Sequence, residues 1–198
     1  SLLPIKVEDP VGNVVQAAID YQTLQPFRVL DINDNVSEVL FDPLGFVMAT
    51  SVYGQEQGEE KGDKPLEAYI PRRSPSLTRI MKAPHHFLQG AFNFFYYDLH
   101  AWRRDNNQPV HIINLTREKY VTSLNEGELP AIQYKSIFLD GLGREVQKKI
   151  KVDSGEAYLR DAEGRLRKDD NGNLLKGFTN NRWLVSGRTI FNNKENPV

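Results

Sequence analysis

The stretch AIQYKSIFLDGLGREVQKKIKV, residues 131–152, decides the fold. Its centre is Asp140-Gly141-Leu142-Gly143, with apolar-rich runs on both sides. An aspartate closes a turn by accepting backbone N–H bonds, and a glycine three residues on takes the positive φ that completes it. After the turn Val146, Ile150 and Val152 alternate with Glu145, Gln147, Lys149 and Lys151, with Lys148 the exception. A period of two gives a strand with one dry and one wet face. The stretch therefore predicts an antiparallel hairpin closed at Asp140–Gly143.

The same spelling recurs. Asp-x-x-Gly occurs at Asp9/Gly12, Asp42/Gly45, Asp140/Gly143, Asp161/Gly164 and Asp169/Gly172, where average composition predicts roughly one occurrence. Two degenerate copies are LDIND (30–34) and FNNKE (191–195), in which another residue stands in for the glycine. Between the turns VSEVLF (36–41), FVMATSVY (46–53), PVHIINLTREKYV (109–121) and RWLVSGRTIF (182–191) read as strands. FNFFYYDLHAW (92–102) is apolar on both faces, which predicts a central strand covered on both sides. The fold class is mainly β, with antiparallel hairpins forming a curved sheet.

Two stretches depart from this pattern. GQEQGEEKGDKP (54–65) is Gly-rich and charged, the composition of an exposed flexible loop. SPSLTRIM (74–81) and PHHFLQG (84–90) are the only candidate helices, both short, the first opened by the serine before Pro75, the second begun by Pro84 and ended by Gly90.

At 198 residues the chain can bury roughly 70% of its unfolded surface, enough for one β-rich domain over 1–198. With 39% hydrophobic and 26% charged residues and a net charge of −1, it has ordinary globular composition. No apolar run is long enough for a membrane-spanning helix. Residues 1–100 hold 8 Lys/Arg against 13 Asp/Glu, and residues 101–198 hold 17 against 13, a dipole too mild for a nucleic-acid footprint. The absence of cysteine excludes disulfides, a thiolate nucleophile and Cys-ligated zinc. The start Ser1-Leu2-Leu3-Pro4, without Met or a basic-then-apolar leader, reads as an internal fragment of a larger protein.

Spaced Tyr/Phe-Asp-x-x-Gly-Arg units resemble the YD or RHS repeats of large bacterial surface and toxin proteins; Asp9 to Asp31 is 22 residues here and Asp140 to Asp161 is 21. FDPLGFV (41–47), YDLHAW (97–102), FLDGLGREVQKK (138–149) and RWLVSGRTIFNNKENPV (182–198), in that order, resemble the middle-to-C-terminal region of the B component of insecticidal Tc toxin complexes, the TcdB/SpvB-type family. Phe or Leu replaces the repeat's Tyr, Phe46 its Arg, and Glu195 its final Gly, so this is a divergent, non-tandem stretch. The resemblance implies a non-catalytic segment of the β-sheet shell that encloses a toxic polypeptide, or of its connector to the propeller. It implies contacts with other parts of the parent chain, with the C-type component and its enclosed polypeptide, and indirectly with a pore-forming A component. It also implies a secreted bacterial toxin, present in the cytoplasm before release. Nucleic acid and membrane insertion have no place in it. The alternative is a binding module of a cell-surface YD-repeat adhesin that recognises glycan or a partner protein.

Candidate chemistry is sparse. In YYDLHAW, Asp98 and His100 are two apart, on one face of the expected strand, where a carboxylate could orient an imidazole; polar ladder residues are the plainer reading. His85, His86, His100 and His111 lack zinc-site spacing. In DINDNVS, Asp31, Asn33, Asn35, Ser37 and Asp42 fall on calcium-loop positions, but Val36 stands where glycine is needed and an Asx turn fits better; DDNGN (169–173) reads the same way. The basic runs REVQKKIKV and GRLRKDDNG lack a stacking platform for bases. Trp102 and Trp183 read as wall-packing residues. The sequence thus assigns no catalytic residue, no cofactor and no metal, and the chain is expected not to be an enzyme.

Overall fold

The computed structural model describes residues 3–72, 75–104, 108–192, 194, 196 and 197. Its main element is an eleven-stranded antiparallel sheet. The strands are β1 (Lys6–Glu8), β2 (Val14–Asp20), β3 (Gln25–Leu30), β4 (Val36–Phe41), β5 (Val47–Glu56), β6 (Glu59–Gly62), β7 (Asn93–Asp98), β8 (His111–Arg117), β9 (Ile132–Leu139), β10 (Glu145–Val152) and, after an excursion, β13 (Arg182–Val185). Spatial order follows chain order, as a meander does. The long β5 pairs on one side with β4 and on the other with β7 through Ala49 and Thr50, then with β6 from Tyr53 to Glu56. A separate two-stranded sheet pairs β11 (Gly155–Tyr158) with β12 (Lys176–Thr179).

The repeat is a single structural device. At Asp9, Asp42, Asp140, Asp161 and Asp169 the glycine N–H donates to the aspartate carbonyl at 2.9–3.1 Å, and the aspartate N–H donates to the carbonyl four residues on at 2.8–3.0 Å. The five glycines have φ between 80° and 87°. The carboxylate accepts from the backbone N–H of the fifth residue in every copy. In three copies that fifth residue also returns a side chain to the aspartate: Asn13, Asn173 and Arg144 donate to Oδ2 at 2.8, 3.1 and 2.7 Å. Asn13, Asn173 and Arg144 thus each add a side-chain bond to the turn. The degenerate copy at 30–34 uses the same bonds, with Asp34 at φ 60° in the glycine's place and Asn35 as the fifth residue. In FNNKE, Asn192 takes the aspartate's role, accepting from the N–H of Lys194 and Asn196; the glycine-equivalent Glu195 lies outside the described residues.

The hairpin over residues 131–152 forms as predicted, with Phe138 opposite Gln147 and Ile150 opposite Lys135, and a bulge between Glu145 and Gln147. A Cβ on Gly143 would meet open space, so its φ of 80° alone constrains it. Gly143→Val is expected to cost about 2 kcal/mol and Gly143→Asn well under half of that, because a β-branched residue resists the left-handed region and asparagine tolerates it. Urea denaturation checks the pair; equal losses would show that φ is not the cause.

The stretch 54–65, whose composition suggests an exposed loop, is largely a hairpin. Residues 53–56 continue β5 and pair with β6 across a two-residue turn at Gln57 and Gly58, both at positive φ, which is the favoured geometry for a tight hairpin. Gly62 is fixed from outside the hairpin, its N–H donating to Thr122 Oγ1 at 2.9 Å. Backbone pairing and one distant hydroxyl supply the order that the side chains of this stretch do not.

The chain between β6 and β7 covers one face of the mid-sheet. It contains a 3-10 turn at Leu66–Ala68 and two short helices, α1 (Leu77–Lys82) and α2 (Pro84–Leu88). Ser76 caps α1 by accepting from the Arg79 N–H; the serine expected to open it, Ser74, lies outside the described residues. Pro84 starts α2 as expected, but Gln89 at φ 51° ends it. Gly90 is needed instead for close approach, since a Cβ there would lie 2.7 Å from Lys64 Cβ. Ile80, Phe87 and Leu88 meet Ala49, Phe94, Ile113 and Leu115 in the core.

FNFFYYDLHAW is a strand only as far as Asp98. Leu99 and His100 turn, and a third short helix, α3 (Ala101–Arg104), follows. Nor is the strand covered on both sides: Phe94 and Asp98 face the helices and are buried, whereas Phe95 and Tyr97 on the other face are half-buried. In β10 the alternation is present but its wet face turns inward. Lys149 and Lys151 share the helix-bearing face with Ile113 and Leu115, and their ammonium groups lie over Phe138 and Tyr134 at 4.8 and 5.1 Å. Ile150 and Val152 lie on the opposite, half-exposed face.

Candidate functional site

Among the described residues, two buried charged clusters stand on the helix-bearing face. In the first, Asp98 is buried at the end of β7 and accepts from Arg104 Nη2 on α3, while His111 Nε2 stands 3.9 Å from its Oδ2. His111 lies opposite Asp98 in the β7–β8 ladder, and its Nδ1 is 3.1 Å from the Pro109 carbonyl. The sequence paired Asp98 with His100 instead. That pairing fails because the strand stops at Asp98, leaving His100 exposed in the turn. The alternation of HIINL does place His111 on the face of Ile113 and Leu115, but the cross-strand register that brings it to Asp98 is not written in either strand. Ser136 is buried on the same face, opposite Ile113 rather than His111, so it does not complete a Ser-His-Asp relay.

The second cluster joins the end of β6 to the end of β8. Arg117 and Asp63, with side chains 4% and 0% exposed, approach to 3.9 Å. Arg117 Nε donates to the Ala91 carbonyl at 3.3 Å and Nη2 to the Gln89 carbonyl, which ties the helical excursion to β8. Neither Asp63 oxygen makes a hydrogen bond of good geometry among the described residues, and the backbone N–H groups of Val52 and Val121 approach the carboxylate only loosely. Burial pushes the Asp63 carboxyl from 3.8 up to about 6, against the pull of Arg117. A carboxyl whose folded pKa is raised holds its proton longer in the folded state, so its stabilising effect is complete below pH 4 and lost as pH rises through 6. The loss is on the order of 3 kcal/mol, at 1.36 kcal/mol per pKa unit. Asp9, Asp31, Asp140 and Asp169 act in the opposite sense: hydrogen bonds from their turns, chiefly those of the fifth residue, lower their pKa values, and they lose that stabilisation as pH falls below 4. Stability measured by urea melts is therefore expected to rise from pH 7 to about 4.5 and fall below it, and Asp63→Asn should flatten the upper limb. An unchanged upper limb in that variant would rule out Asp63 as its origin.

The other candidates do not assemble. Among the described residues no three His, Asp or Glu groups come together to hold a metal. His86 packs edge-on against Phe87. The carboxylates of Asp31 and Asp169 are occupied by their own turns. Lys149 and Lys151 of the basic run lie over rings, as described above. Trp183 donates its indole N–H to Asn181, but Trp102 does not pack inside: it is 52% exposed beside an apolar groove formed with Phe46, Tyr97 and Ile112. No helix among the described residues is long and apolar enough to cross a membrane. What the described residues do offer are three strands of the main sheet, β1, β6 and β13, each paired on one side only, and a half-exposed apolar face.

No family model matches the chain, and no curated protein matches it. Solved structures do. The crystal structure of TcdB2-TccC3 superposes on 98% of the chain with a TM-score of 0.76 and 25% sequence identity. The chain is similar, over nearly its whole length, to a TcdB-type segment. A second crystal structure, TcdB2-TccC3 without its hypervariable C-terminal region, gives a TM-score of 0.73 at 20% identity over 98% of the chain. The Photorhabdus luminescens Tc holotoxin pore gives 0.71 at 20% identity over 99%. The chain spans about a tenth of the length of these structures, 9% of the first and 11% of the other two. The likeness to a TcdB-type segment thus covers the meander, its hairpins and the helical excursion together.

Proposed function

We propose that the chain is a non-catalytic structural segment of a B-type toxin-complex protein, contributing to the β-sheet shell around a toxic polypeptide or to the connector between that shell and the propeller. The observation that carries this reading is the match of 98% of the chain to TcdB2-TccC3. The open sheet agrees with it physically. Its hairpins bury one face under the helical excursion, and its outer strands and second face need neighbours, as stacked repeat units do. On this reading the partners are other parts of a longer parent chain, a C-type component with its enclosed polypeptide and, through the propeller, a pore-forming A component; the setting is extracellular.

Electron microscopy of the parent protein with its C-type partner tests the proposal. A hollow particle with this segment in its wall, or at the junction of wall and propeller, is expected, and a solid particle with no internal volume would overturn it. The non-catalytic part has its own test in a hydrolase and transferase screen, where any turnover abolished by Asp98→Ala or His111→Ala would contradict it.

A further inference from the structure

Past the end of β13 the chain runs on beside β10, with the Ser186 N–H donating to the Lys148 carbonyl and the Thr189 N–H to the Val146 carbonyl, both at 2.9 Å. This strap, together with β9 and β10, encloses a groove of about 840 Å³ on the helix-bearing face. Three cations line it: Arg144, Lys149 and Arg188. The one carboxylate among the described lining residues, Asp140, is already held by Arg144 Nε at 2.7 Å. The Arg144 guanidinium also lies 4.2 Å over the Phe191 ring, so one edge and one face are fixed. Its Nη1 is buried and has no hydrogen-bond partner among the described residues. Lys149 is held over the Phe138 ring and, like Arg188, has no ion-pair partner among the described residues.

We propose that this groove is a binding site for a carboxylate side chain presented on an apolar peptide strand. A guanidinium held in place with a free N–H edge offers directional donors to a planar carboxylate, and it loses little freedom in doing so. The rings of Phe138 and Phe191 give the groove apolar walls, and its volume far exceeds a small anion, so the flanking residues of the strand are part of the ligand. The inference is independent of whether the segment is wall or connector, since it concerns only this groove.

NMR titration of the 198-residue chain at constant ionic strength tests it, with a blocked Leu-Glu-Leu tripeptide, its Leu-Gln-Leu counterpart and inorganic phosphate as probes. Leu-Glu-Leu is expected to shift the Arg144 Nε–H and the Phe138 and Phe191 resonances saturably, and Leu-Gln-Leu to bind about ten-fold more weakly. Arg144→Gln and Lys149→Gln should each weaken Leu-Glu-Leu binding by about five- to ten-fold; Lys149→Gln leaves the Asp140 turn untouched and keeps the test valid if the other variant loosens it. Equal affinity for the two peptides, or no saturable shift, would overturn the proposal. Phosphate producing the same shifts with equal affinity would overturn the assignment to a peptide carboxylate.

Discussion

Arg117→Met is expected to destabilise the chain by about 3–5 kcal/mol at pH 7.5, the cost of breaking a buried ion pair by removing one partner. Methionine keeps most of the volume, so the loss is electrostatic and polar. It leaves the Asp63 carboxylate, buried and without a hydrogen bond of good geometry, facing no cation. It also strips the Ala91 and Gln89 carbonyls of the guanidinium donors that hold the end of the helical excursion to β8. The penalty has a signature that lost packing would not produce. With Arg117 in place Asp63 titrates at about 6, and without that cation it takes up its proton at a higher pH still, so at pH 5 the part of the cost that comes from its charge disappears. Urea melts at pH 7.5 and pH 5 should therefore differ clearly in ΔΔG, and a pH-independent loss would show that the carbonyl contacts, not the ion pair, account for the effect.

Gly62→Ala should be about as damaging, at about 3–5 kcal/mol, by adding left-handed strain to overpacking against backbone. Gly62 has φ 100°, and a Cβ there would lie 2.3 Å from the Val52 carbonyl oxygen and 2.7 Å from Tyr53 Cα. Neither atom can yield without opening the β5–β6 pairing. The neighbouring Gly58 is the control: its φ is 84°, but a Cβ there meets open space, so Gly58→Ala should cost only about 1 kcal/mol. Limited proteolysis separates the two variants further. Cleavage within 54–62 should accelerate strongly in Gly62→Ala and weakly in Gly58→Ala, and similar rates would refute the steric argument.

Residues 54–65 show where composition misleads. Twelve residues without an aliphatic or aromatic side chain read as irregular, because burial is the usual source of order. Here order comes from a ladder, a two-residue turn at positive φ and a threonine 60 residues away. The signal in the sequence was Gln57-Gly58, a glycine-containing turn between two extended runs. It was outweighed by charge. In FNFFYYDLHAW the error ran the other way, since apolar residues on both faces suggested two coverings and the structure supplies one.

The turns were fully legible. Each Asp-x-x-Gly unit closes through bonds within five residues, so local sequence contains everything its geometry needs, including the substitutions at Asp34 and Asn192. Seven of the strands, β4, β5, β7 to β10 and β13, and the two foremost helices were legible from local alternation and end signals, whereas β6 was read as loop. What the tertiary structure alone decided is which residues meet across strands and which face of the sheet the helices cover. Alternation says that Lys149 and Ile150 point to opposite sides, but not that the lysines share the side of the sheet on which the helices pack. His111 reaches Asp98, and Arg117 reaches Asp63, through register and chain return over 13 and 54 residues. A period of two repeats identically under every such pairing, so the choice among them rests on packing between segments that no single segment encodes.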